Sequence, residues 1–201
     1  MATAKAAKPT LLSPTAADKA VREAVAKARV FDLHTHLYEP RFGPLLLRGV
    51  DELITYHYLI AESTRATGLE PAKFYAMTKA RQAEFIWEEI FVKRSPVSEA
   101  TRGVITTLTE YGIAPRRDGL AGARKFFAGL SAEKHVDLAF GKAGIVGAVM
   151  TNDPFNDAEN AAWSKGGPHD ERFYAALRID PLVVNLPESS KKLRAWGYDV
   201  D

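Results

Sequence analysis

Hydrophobic positions fall into two rhythms along this chain. Dense apolar runs stand at Val30 to Leu33, at Gly144 to Thr151 and within "RFYAALRIDPLVVN", each bounded by glycine, proline or polar residues. Such short, β-branched runs predict buried strands, the third followed by an exit loop. Between the first two, residues 50 to 140 carry apolar side chains at helical spacing almost throughout. "VDELITYHYLIAEST" predicts one helix. "PAKFYAMTKARQAEFIWEEIFVKR", opened by Pro71, predicts a long one with Phe74, Met77, Phe85, Ile86, Ile90 and Phe91 as its core stripe. "SEATRGVITTLTEYGI" and "LAGARKFFAGLSAEKHVDLAF" predict two more, with Ser95-Pro96 as a helix start. "NDPFNDAENAAW" reads as a turn into a short helix, and Pro187 opens a last one. At the other end, Ser13-Pro14 reads as an N-cap with proline at the first helical position. That helix runs to about Lys27, with Val21, Ala24 and Val25 inward, and residues 1–13 before it form a flexible tail. Strands alternating with helices toward the C-terminal end predict a parallel α/β architecture.

Composition narrows the chemistry. The 201 residues are 46% apolar and 26% charged, the profile of a water-soluble globular domain. There is no cysteine, so disulfides, thiolate metal sites and thiol nucleophiles are excluded, and any metal is held by nitrogen and oxygen. A net charge of +2 is too small a bias to argue for nucleic acid. No apolar run approaches a membrane span and the first twenty residues lack a signal-peptide core, so a cytoplasmic protein is expected.

The first strand ends in "FDLHTHL". Side chains two apart on a strand share a face, so His34 and His36 can approach one ion, with Asp32 in the same parity and Phe31, Leu33 and Thr35 opposite. Neutral imidazole suits zinc, iron, nickel or manganese. A surface pair without metal is the alternative. Three other groups stand at strand ends or soon after one: His57-Tyr58 on a helix, Asp153 in "TNDP", and Arg178 in "LRIDP". Each also has a plain structural reading. His57 and Tyr58 can be half-buried helix residues, Asp153 can cap the next helix, and Arg178 can pair with Asp180 at the surface.

"FDLHTHL", "DELITYHYLIAESTRATG", "VGAVMTNDPFNDAE" and "LRIDP" together resemble, in order and rough spacing, the uronate (glucuronate) isomerases of the amidohydrolase superfamily. The resemblance spans about residues 28 to 185 and departs from the family at Thr55-Tyr56 and at Asn152. It implies a metal-dependent-hydrolase-like (β/α)8 barrel with a large helical insertion, about residues 50–140, after the first strand. It also implies one divalent metal, zinc foremost, with manganese, iron or nickel as alternatives, and His34 and His36 as two of its ligands. The substrate would be a sugar acid, a hexuronate such as D-glucuronate, converted to the ketose D-fructuronate. His57 and Tyr58 would lie near the reacting carbons. Arg178 would stabilise an anionic oxygen or the carboxylate, and Asp153 would orient a neighbour or a hydroxyl.

A (β/α)8 barrel takes about 250 residues, and only three or four strands can be counted here. Residues 14–201 are therefore expected to be the N-terminal portion of such a barrel, inactive alone and prone to form a homo-oligomer or to associate with a missing C-terminal half. A hydrolase of the same superfamily and a non-catalytic fragment are the competing expectations.

Overall fold

The computed structural model describes residues 13–200, so the expected tail lies outside the described residues apart from Ser13. Helix α1 (Pro14–Lys27) starts as the sequence predicts, with the Ser13 hydroxyl accepting from the Ala16 N–H. It leads into β1 (Val30–Thr35). A 3-10 turn at Pro40–Leu45 follows, then a helical region: α2 (Val50–Ile54), α3 (His57–Thr67), α4 (Pro71–Tyr75), α5 (Lys79–Ile86), a π-helical turn at Trp87–Val92, α6 (Glu99–Glu110), α7 (Pro115–Ala128) and α8 (Ala132–Ala143). The chain then runs through β2 (Ile145–Asn152), α9 (Asp157–Lys165), β3 (Phe173–Leu177), α10 (Asp180–Val184) and α11 (Leu186–Ala195).

The strands form one parallel sheet in the order β1-β2-β3. Its C-terminal edge gathers the ends of all three strands, which is where parallel α/β proteins place their chemistry. Ala148 and Met150 of β2 and Phe173 of β3 turn toward the helices and pack with Phe42, Val136 and Phe140. The opposite face is open: Phe31 of β1 is 45% exposed and Tyr174 of β3 is 50% exposed. Their rings lie 5.1 Å apart across Gly147. A Cβ on Gly147 would stand 2.6 Å from Phe31 Cε2. That close approach explains glycine in the middle of a strand.

The helical region has a core of its own, centred on Ile54, Phe74, Ile86, Leu108 and Ala123. Several expected helices are subdivided within it. "VDELITYHYLIAEST" breaks at Thr55, whose hydroxyl donates back to Asp51 O at 2.7 Å, and at Tyr56, whose backbone is extended. His57 consequently opens α3. The long helix after Pro71 breaks at Ala76–Met77 because the Thr78 hydroxyl caps a new start by accepting from Arg81 N–H. Gln82 Nε2 then donates to the Phe74 and Met77 carbonyls at the break. Ser98, not Ser95-Pro96, caps α6, and Ser131 divides α7 from α8. The exit from β3 is the short helix α10, not a loop.

One expectation about packing fails. Val21 and Val25 of α1 are 61% and 69% exposed, and no residue of that helix is buried. An amphipathic helix buries its apolar stripe only against a complementary surface, and none of the described residues supplies one there.

Candidate active site

The six residues singled out in the sequence cluster around one end of the sheet. His34 is the penultimate residue of β1 and His36 follows its end, while Asp153 follows the last residue of β2 and Arg178 the last residue of β3. The two imidazoles lie edge to face with ring centroids 5.1 Å apart. Strand parity alone does not bring this about. The β1–β2 register slips between Asp32 and Thr35. Phe31 packs over Gly147, yet His34 Nδ1 lies 3.4 Å from Thr151 Oγ1, on the same face of β2. Phe31 and His34 therefore share a face although three residues apart, which corrects the expectation that Phe31 points the other way. An irregularity of this kind re-aims side chains at a strand end. Asp32 stabilises it by accepting the His34 N–H at 3.1 Å.

The helical region reaches the same place through Tyr56. Its ring meets His36 at 5.9 Å, His57 at 4.3 Å and Tyr58 at 5.5 Å. His36, Tyr56 and Tyr58, with Leu53, Leu59 and Val104, line a cavity of about 420 Å³. His57 and Tyr58 are exposed, so the half-buried helix reading of that pair does not hold.

Asp153 and Arg178 are occupied locally. Asp153 Oδ1 accepts the Phe155 N–H at 3.0 Å, and Asn156 is the residue that caps α9. Arg178 Nε donates to Asp180 Oδ2 at 3.1 Å, the surface pair that its plain reading anticipates. The Arg178 backbone N–H also continues the β2–β3 ladder by donating to Asn152 O at 2.8 Å.

No protein-family model and no curated protein sequence matches the chain. Among solved structures, it is similar to the crystal structure of a uronate isomerase from Bacillus halodurans C-125, at 46% identity with a TM-score of 0.89 over 96% of this chain. Over the length it spans, the chain resembles that uronate isomerase in both sequence and fold. It spans 46% of that relative's length.

The uronate isomerase resemblance directs attention to a metal, and the donors can be tested against it. His34 and His36 stand close enough to share an ion, and their imidazole nitrogens suit a divalent transition metal. No group of three His, Asp or Glu side chains with metal-binding geometry occurs among the described residues. The pair fits as two donors of a larger set.

Several residues escaped the sequence reading. Tyr56 stood out only as a departure from the family pattern. Tyr38 and Glu159 meet across 121 positions, the Tyr38 hydroxyl donating to Glu159 Oε1 at 2.6 Å. Burial and that carboxylate push the Tyr38 phenol well above the usual tyrosine range, so it stays a protonated donor. Glu159 is the third residue of α9 after the Asn156 cap. This spacing signals only a capping box.

Proposed function

We propose that this chain carries the first-strand and early-loop part of a uronate isomerase that interconverts an open-chain hexuronate such as D-glucuronate with its 2-keto isomer, D-fructuronate. The 46% identity to a uronate isomerase across 96% of the chain carries this reading. In that isomerisation the proton on C2 passes to C1 and the hydroxyl proton of O2 passes to O1, through an enediol. A base near C2, stabilisation of the developing oxyanion and a cation for the carboxylate are required. His57 and Tyr58 are the groups for the proton on carbon, since both are exposed and join the histidine pair through Tyr56. Arg178 presents a planar, permanently charged fork that leaves Asp180 to take an oxyanion or carboxylate. Asp153 orients a substrate hydroxyl or a neighbouring side chain. A divalent metal held by His34 and His36, with further donors, would act as a Lewis acid toward a substrate oxygen; zinc is favoured, with manganese, iron or nickel as alternatives.

The open sheet face supports completion of a (β/α)8 barrel by further chain. Phe31, Leu33 and Tyr174 are exposed there, an apolar patch of the kind that marks an interaction surface. We take its occupant to be the remaining part of the barrel, with a second copy of this chain as the alternative. The test is an assay of D-glucuronate conversion by the purified chain and by a full-length family protein carrying this sequence. Turnover is expected only from the full-length protein, and turnover by the isolated chain refutes the need for more barrel. Lactone hydrolysis without sugar isomerisation would assign the fold to hydrolytic chemistry.

A further inference from the structure

Two carboxylates that the proposed reaction does not use lie buried behind the site. Glu159 is 6% exposed. Its Oε1 accepts from the Tyr38 hydroxyl at 2.6 Å, and its Oε2 accepts from the Asp153 N–H at 2.8 Å and from Asn152 Nδ2 at 3.3 Å. Glu39 is 1% exposed and accepts from Arg41 Nε at 2.9 Å, His169 Nδ1 at 3.0 Å and the Asp170 N–H at 2.8 Å. Tyr38 and Glu39 are consecutive residues just after His36, and they reach opposite ends of α9. Glu159 stands in its first turn, while His169 and Asp170 lie between α9 and β3.

Burying a carboxylate costs more than burying an apolar side chain of similar size, so stability alone does not account for this arrangement. Glu159 also forgoes the ordinary role of a third-position glutamate, bonding back to the cap N–H. The Asn156 N–H is taken instead by Asp153 O, which frees the carboxylate to reach across to Tyr38. We infer that Glu159 is a positioning residue: through Tyr38 and the Asp153 amide it fixes the end of β1, bearing His34 and His36, against the end of β2, bearing Asp153. Glu39 holds the same loop from the other side. This deepens the proposed function and rests on its assignment of the two histidines and Asp153 to one site.

The test uses the whole chain, backbone and imidazole NMR, and Co²⁺ as the metal probe. Glu159→Gln is expected to move the Asp153 amide proton upfield, shift the imidazole resonances of both His34 and His36, and weaken Co²⁺ binding at them about tenfold, as loss of an outer hydrogen-bond partner does at metal sites. Glu159→Ala gives a larger change. The milder Tyr38→Phe shifts the same histidines, and the double variant adds nothing beyond Glu159→Gln. Val136→Ala, which only thins the adjoining core, lowers the melting temperature and leaves these signals in place. Changes confined to the immediate contacts of residues 38 and 159, with His34 and His36 unmoved, overturn the inference. If the wild-type histidines take up no Co²⁺, the metal part of the proposed function fails, and the imidazole resonances by themselves decide the positioning role.

Discussion

Replacing Glu39 by alanine removes a buried carboxylate that collects three donors. Arg41 Nε, His169 Nδ1 and the Asp170 N–H all lie within 3.0 Å of its oxygens. Removing one member of a buried ion pair costs about 3 to 5 kcal/mol. The lower end applies here, because the His169 side chain is 49% exposed and recovers water when released. Arg41 stays held over the Trp163 ring, 4.7 Å from its centroid, and keeps a cation in a half-buried place without its anion. A loss of about 3 kcal/mol corresponds to a fall in melting temperature of roughly 6 to 12 °C for a domain of this size. Glu39→Gln keeps an oxygen for the Asp170 N–H and fills the same space, but it removes the anion and turns an NH2 toward Arg41, so it should recover only part of the loss, about 1 kcal/mol. Urea unfolding at pH 7, followed by far-ultraviolet circular dichroism, measures both. An alanine variant within about 1 kcal/mol of wild type, or a glutamine variant as unstable as the alanine one, would refute the reasoning.

Gly147→Ala should destabilise the sheet by about 1 kcal/mol through overpacking, since its Cβ meets the Phe31 ring at 2.6 Å; Phe31→Ala in the same chain should restore most of the loss, and additive urea midpoints would contradict the contact. Burial, with a smaller contribution from Arg48, lowers the His135 pKa below its ordinary 6.5, so the folded chain favours the neutral ring. The stability this implies is complete above pH 6.5 and is lost as pH falls through the lower folded value; thermal melts from pH 7.5 to 5 should show the decline, and His135→Phe should flatten it. His34→Ala and His36→Ala should each reduce bound zinc in metal analysis of the purified chain, and metal content unchanged by both removes the histidines from any metal site. Amide exchange should be slowest around Ile54, Phe74 and Leu108, which are fully buried in the helical core, and faster in β1 and β3; uniform protection would show that the two cores unfold as one.

Local chemistry made much of this protein legible from its sequence. The Ser13 cap, the apolar β2 run and the Asn-Asp turn into α9 depend on residues within a few positions of one another, so their pattern determines them. The His-x-His pair, the His57-Tyr58 pair and the strand-end Asp153 and Arg178 were likewise readable as candidates, and the family resemblance followed from their order. Helix breaks were not readable, because Thr78 and Ser131 look like ordinary polar residues until their hydroxyls cap a new start. The face that His34 shares with Phe31 depends on a register slip against β2, more than 100 residues away. Nothing near Glu39 or Glu159 in the sequence signals burial, and only tertiary contact with His169 and with Tyr38 shows them to be buried ties beneath the site. The exposed valines of α1 mark the same boundary from the other side. A sequence specifies which side chains are apolar, but burial is a property of two surfaces, and only the folded chain decides whether the second is present.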